Sequence, residues 1–190
     1  MSTTSELSEH QAERIREMQN NFAFAKTVHG VFGSTNRVHW QEGIERIKGH
    51  LIVYSSRMDA ELPLLERTED GFIINVRDGI VGTVSRSCAY ATTLLFVEYQ
   101  YGKNGGRWEK FHQHYESDQG RRIEVRKQMR LDDIANVLLI PRDSVETVER
   151  AHGKNLESMA GHYGIHVASL RGYLNKIDIS NGDFSARHYR

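Results

Sequence analysis

Residues 131–141 read Leu-Asp-Asp-Ile-Ala-Asn-Val-Leu-Leu-Ile-Pro, and this stretch is the most informative about the fold. Its pattern predicts the end of a long helix that runs from about Arg122 to Ile140. Pro141 ends that helix, because a proline disfavours the helical conformation in the residue before it. Asp143 or Ser144 is expected to begin the next helix. The stretch therefore predicts two successive helices joined at a proline.

A helix-turn-helix-like pair is predicted toward the C-terminal end. Gly164 and Ile165 form its turn, with apolar residues at helical spacing on both sides: Leu156, Ala160, Tyr163, Val167, Leu170 and Leu174. The second helix should present polar side chains outward: His166, Ser169, Arg171, Asn175 and Lys176. This is a small basic set for a helix that reads the major groove, so we expect packing to be its main role.

The first half of the chain predicts two helices and a small sheet. Helices are expected from Leu7 to about His29 and from about Val38 to Lys48, each with one apolar stripe. The segments Leu51–Tyr54 and Phe72–Val76 have the β-branched composition of strands. We therefore predict an α+β fold, mainly helical, with a sheet of two or three strands.

The segment from Ser85 to about Tyr99 is mostly apolar but does not alternate strictly. This pattern favours a buried helix, although the β-branched Thr92, Thr93 and Val97 leave a strand as the alternative. A long buried helix after the sheet is the prediction.

The composition excludes several classes of protein. The chain has 190 residues, with 25 basic and 25 acidic side chains and one cysteine, Cys88. No apolar run approaches the ~18 residues that a membrane span requires. A single cysteine excludes an internal disulfide and a cysteine-rich zinc site, so we expect a reduced, cytoplasmic protein. The zero net charge argues against a surface that attracts polyanions everywhere, and leaves room for a local patch.

Three stretches resemble the ImmA/IrrE family of bacterial and phage zinc metallopeptidases. Residues 62–76 are similar to the strand and turn before that family's metal-binding helix. Residues 85–96, Ser-Arg-Ser-Cys-Ala-Tyr-Ala-Thr-Thr-Leu-Leu-Phe, lie where the family has Arg-Phe-Thr-x-Ala-His-Glu-x-x-His. Residues 131–141 resemble the family's Phe-Ala-x-x-Leu-Leu-x-Pro, and residues 155–177 resemble its terminal helical pair. The resemblance covers about residues 40–177 and implies a zincin-like scaffold.

The family's chemistry requires a His-Glu-x-x-His helix. Its two histidines lie on one helical face and bind zinc, and its glutamate acts as the general base. Aligning the alanines places Tyr90 and Leu94 at the histidine positions and Ala91 at the glutamate position. A shift by one residue gives Ala91, Leu95 and Thr92 instead.

The third ligand of the family is a carboxylate from a later helix. Counting back from Pro141 places Gln128 at that position, or Arg130 in the neighbouring register. None of these sets can hold zinc. The resemblance therefore implies a pseudo-peptidase with no cofactor and no catalytic residues.

Family members regulate phages and mobile elements, or stress responses, by cleaving a repressor. A degenerate member would keep the partner-binding surface without cutting. We therefore predict a non-catalytic regulatory protein, of phage or mobile-element origin, that binds a protein partner such as a repressor.

Two alternatives remain open. The first is a metal-dependent hydrolase with a relocated site at His112, His114 and Glu116, which form the densest set of metal-ligating residues. The second is a DNA-binding regulator that uses the terminal helices or a basic stripe. The residues of that stripe are Arg121, Arg122, Arg126, Lys127 and Arg130. Three of these arginines recur every four residues, so a helix would align them for phosphate contacts.

The sequence divides into four segments by these criteria. They are an N-terminal helical extension (1–36), the degenerate metallopeptidase-like domain (37–150), the helix-turn-helix-like pair (151–178) and a polar tail (179–190). The stripe Ile15, Met18 and Phe22 would suit a homo-oligomer if it were exposed, but we expect it to pack on its own domain.

Overall fold

The computed structural model describes residues 8–55, 57, 62–102 and 131–184. Within these ranges the chain has the predicted α+β architecture, mainly helical with one small sheet. The helices are α1 (Glu9–Phe32), α2 (Trp40–Arg46), α3 (Thr83–Gly102), α4 (described over 131–138), α5 (Val145–His152), α6 (Leu156–Tyr163) and α7 (Val167–Ser180). The strands are β1 (Gly49–Tyr54), β2 (Leu65–Arg67) and β3 (Phe72–Arg77).

Helix α1 begins and ends as its sequence dictates. Ser8 and Gln11 form a capping box at its start, and Gly33 ends it in the left-handed conformation with φ 67°. Its buried stripe includes Met18 and Phe22. The ring of Phe22 meets that of Tyr173 in α7 edge to face, with centroids 5.7 Å apart. The stripe therefore packs on the protein's own fold, as predicted.

The sheet has the order β1-β3-β2, with β3 in the centre. Strand β1 runs parallel to β3 and pairs Gly49 with Phe72, whereas β2 runs antiparallel and pairs Leu65 with Ile74. The central position explains why Ile74 and Val76 are almost wholly buried. Strand β2 was not predicted as a separate strand, because three residues carry too little pattern to reveal one.

Helix α3 follows β3 and packs against it. It confirms the predicted helix and excludes the alternative strand. Cys88, Ala89 and Ala91 belong to the hydrophobic core. The hydroxyl of Thr93 donates to the carbonyl oxygen of Ala89 at 2.9 Å, so this buried β-branched residue is accommodated within the helix.

The end of α4 and the residues after it are held in place by three buried side chains. These are His29 of α1, Tyr173 of α7, and Ser144, which lies just before α5. In the order His29, Ser144 and Tyr173, each contacts one carbonyl oxygen. Their partners are the carbonyl oxygens of Leu138, Pro141 and Ile140, at 2.9, 2.6 and 3.0 Å respectively. A helix end leaves its last carbonyls without intrahelical partners, so these contacts satisfy groups that burial would otherwise leave unpaired.

One hydrophobic core connects the first three of the four segments into which the sequence was divided. Phe22, Ile74, Leu138 and Leu170 all belong to it. Helix α7 extends to the buried Ser180, so the boundary predicted at residue 178 falls inside a helix. Among the helices of the described ranges, none combines the length and the apolar character of a membrane span.

Candidate functional site

Helix α3 carries the positions that the resemblance aligns with the zinc-binding histidines and the catalytic glutamate. In the first register these are Tyr90, Ala91 and Leu94. Ala91 is fully buried, and the other two are partly buried. Zinc in proteins is bound by thiolate, imidazole or carboxylate groups. None of these three side chains offers such a group, so this set does not fit the metal.

The second register leads to the same result. It places Ala91 and Leu95 at the ligand positions and Thr92 at the general base. The hydroxyl of Thr92 is buried and has no hydrogen-bond partner among the described residues. Cys88, one turn earlier, is buried, and burial raises the pKa of its thiol to about 12. In this structure α3 is a helix of the core.

Several predicted site residues lie outside the described ranges. These are Gln128 and Arg130 at the third-ligand position, the metal candidates His112, His114 and Glu116, and the basic stripe of Arg121, Arg122, Arg126, Lys127 and Arg130. They stay predictions. Within the ranges that the structure does describe, no group of three or more His, Cys, Asp or Glu side chains could hold a metal ion.

The predicted helix-turn-helix-like pair is present as α6 and α7. Gly164 forms the turn in the left-handed conformation, and His166 caps α7 by accepting from the backbone N–H of Ala168. The turn is packed against the start of α3. A β-carbon added at Gly82 would lie only 2.8 Å from the backbone nitrogen of His166, and the hydroxyl of Ser85 donates to the carbonyl of Gly164.

Helix α7 exposes little of its surface. Along Val167–Ser180 only Ala168 and Arg171 are exposed. The prediction that Lys176 points outward is wrong, because its side chain is 13% exposed and forms an ion pair with Asp133 at 3.1 Å. A helix that reads DNA needs three or four side chains free to reach base edges. The exposure of α7 is typical of a packing helix.

A cleft among the described residues lies between α1, the α1–α2 connection and residues 137–143. Its volume is about 730 Å³. Its apolar part includes Phe22, Val137 and Ile140. Its polar lining consists of Gln19, Lys26, His29, Ser34, Thr35, Asn36, Arg142 and Asp143. The cleft thus combines apolar surface with hydrogen-bonding groups, as ligand and partner sites do.

Two polar groups in the cleft are notable. The hydroxyl of Ser34 is buried and has no partner among the described residues. His29 lies on the same cleft, and burial is the main cause that lowers its pKa, so its imidazole is neutral at pH 7. At the rim, Lys26 and Asp143 form an exposed ion pair at 3.5 Å. The charges therefore lie at the rim, while the buried wall is neutral.

The sequence did not reveal this cleft. Its lining comes from residues 19–36 and 137–143, which are more than one hundred residues apart in the chain. The one local signal was the polar run Ser34-Thr35-Asn36, which follows the end of α1.

No protein-family model, curated protein or solved structure matches this chain. Helix α3, the cleft and the turn between α6 and α7 are therefore the features from which a function is inferred.

Proposed function

We propose that the protein is a non-catalytic regulator, of phage or mobile-element origin, built on an ImmA/IrrE-like and zincin-like scaffold. It acts by binding a protein partner such as a repressor. One observation carries this proposal. Where the aligned family requires a histidine and a glutamate, the chain has the buried Ala91 with Tyr90 or Thr92 beside it.

The chemistry of these side chains argues against peptide hydrolysis at this helix. A zinc peptidase needs ligands that hold the ion and a base that takes a proton from water. A methyl group does neither, and a buried threonine hydroxyl does not act as a base near neutral pH. Partner binding depends on the surface of a scaffold instead, so it survives the loss of these groups.

The cleft beside α1 supplies a concave surface for a segment of the partner. Its volume lies within the range of about 300–1,000 Å³ that is usual for binding pockets. Protein interfaces combine an apolar centre with a polar rim. The exposed Ala23 contributes to the first, and Lys26 and Asp143 provide the second.

A binding experiment tests this proposal. The full chain is titrated calorimetrically with candidate repressors from the genome that encodes it, and the partner is then analysed by mass spectrometry. We expect a complex in which the partner stays intact, with zinc or with a chelator. Ala23→Trp, at an exposed position that lines the cleft, should weaken the complex at least about tenfold by occupying the cleft.

The matched control is Ala168→Trp, because Ala168 is an exposed alanine on α7 that does not line the cleft. It should leave the affinity unchanged. Chelator-sensitive cleavage of the partner would contradict the non-catalytic proposal. Equal effects of the two tryptophan variants would show that the cleft is not the partner site.

A further inference from the structure

Three basic side chains meet at the turn between α6 and α7, away from the cleft and from the zinc-aligned positions of α3. They are Arg37, His152 and His162, which we call the basic cluster. Arg37 lies in the α1–α2 connection, His152 is the last residue of α5, and His162 lies in the last turn of α6. Three separate elements therefore bring groups that carry or accept a positive charge to one place.

The distances place these groups side by side. The ring centroids of His152 and His162 are 5.5 Å apart, with their planes inclined by 59°. The guanidinium of Arg37 lies against the turn, since a β-carbon added at Gly164 would be 2.9 Å from its Nη2. Gly164 has φ 65°, and its lack of a side chain lets the guanidinium approach the backbone.

The charges that act on His162 are positive. Burial is the main cause that lowers the pKa of His162, and the neighbouring His152 and Arg37 lower it further. The acidic Glu149 of α5 contributes to raising the pKa of the neighbouring Tyr163 phenol. The first turns of α3 and α7, which meet at the same turn, contain no acidic residue. Near the starts of these two helices the sequence has the basic residues Arg86, His166 and Arg171.

One nitrogen of the basic cluster is buried and has no hydrogen-bond partner among the described residues. This atom is Nε2 of His162. Such a group costs free energy unless a ligand or water satisfies it. Both histidines lie in the last turns of their helices. A bound anion would relieve the repulsion between the positive groups.

We propose that the basic cluster binds a small tetrahedral oxyanion, either inorganic phosphate or the phosphate monoester of a small molecule. Arg37 and the protonated His152 and His162 donate hydrogen bonds to its oxygens, which are strong when both partners are charged. The DNA backbone is the less favoured source of phosphate, because α7 exposes only Ala168 and Arg171. The anion stabilises the charged imidazoles, so its binding strengthens as the pH falls.

Sulfate is the first probe, because its charge does not change between pH 6 and pH 8. Calorimetry on the full chain should show sulfate binding about tenfold tighter at pH 6 than at pH 8. NMR titration of His162 is the parallel measurement. Saturating sulfate should raise its pKa by about one unit, because a tenfold preference of the anion for the protonated imidazole shifts the pKa by that amount. At pH 6, Arg37→Gln and His162→Gln should each weaken binding at least about tenfold. His50→Gln, at an exposed histidine of β1, is the control and should change nothing.

Inorganic phosphate and phosphoethanolamine, compared at pH 6, distinguish the two sources of the anion. Equal affinity supports free phosphate, and tighter binding of the ester supports a monoester ligand. Sulfate affinity that does not depend on pH would overturn the proposal. So would wild-type affinity in Arg37→Gln, or a DNA duplex that displaces sulfate at a lower phosphate concentration than inorganic phosphate does.

Discussion

Thr92 and Thr93 are neighbours in α3 and are both fully buried, yet their hydroxyls differ in environment. Thr93 donates to the carbonyl oxygen of Ala89, whereas Thr92 has no partner among the described residues. A buried hydroxyl without a hydrogen bond costs free energy, while a bonded one stabilises the fold. The pair therefore allows the core role of α3 to be tested one side chain at a time.

Thr92→Val should stabilise the protein by about 1 kcal/mol, because it removes an unsatisfied hydroxyl and keeps the shape of the side chain. Thr93→Val is the matched control and should destabilise it by about 0.5–1.5 kcal/mol, because a hydrogen bond is lost. Urea unfolding followed by circular dichroism measures both. A clear loss of stability in Thr92→Val would mean that this hydroxyl makes a contact that the core role of α3 does not account for.

Helices α1, α4 and α7 are joined by ion pairs around one carboxylate. Asp133 in α4 accepts from Arg14 of α1 at 2.6 Å and pairs with Lys176 of α7 at 3.1 Å. The side chain of Asp133 is 15% exposed. Water screens such a carboxylate less than a surface pair. Removing it leaves Lys176 without this partner, whereas Arg14 keeps its ion pair with Glu17 at 2.7 Å.

Asp133→Asn should therefore destabilise the protein by about 2 kcal/mol. Asp143→Asn serves as the matched control. Asp143 pairs with Lys26 at 3.5 Å while both side chains are 78% exposed, so its loss should cost less than about 0.5 kcal/mol. Thermal or urea unfolding of the two variants gives the comparison. Equal effects would show that the three helices are held together without this carboxylate.

Local sequence patterns predicted some elements of the fold and missed others. The periodicity of α1 and α3 and the apolar pairs of α6 and α7 predicted these elements because each pattern is contained in one segment. The burial of Lys176 was not predictable, since it depends on Asp133, which lies in a different segment and meets it only after folding. Strand β2 was missed because it forms by pairing with β3.

At the scale of the whole molecule, the proposed function depends on a resemblance to a peptidase family and on positions of α3 whose side chains offer no zinc ligand. Which side chains occupy the zinc-aligned positions of α3 could be determined from the sequence alone, because that requires only their identity. The cleft beside α1 and the basic cluster could not, because each is assembled from segments that are far apart in the chain. The sequence therefore identified the side chains at the zinc-aligned positions more directly than it located any binding site.

Zinc binding by the complete chain tests the central claim most directly, because the complete chain also includes His112, His114 and Glu116. Metal-free protein is titrated calorimetrically with zinc, and metal content is then measured after desalting. We predict no zinc retained at one equivalent, and no site with a Kd below about 1 µM, which corresponds to about 8 kcal/mol. One zinc bound per chain at submicromolar Kd, together with cleavage of a partner that stops on chelation, would contradict the account.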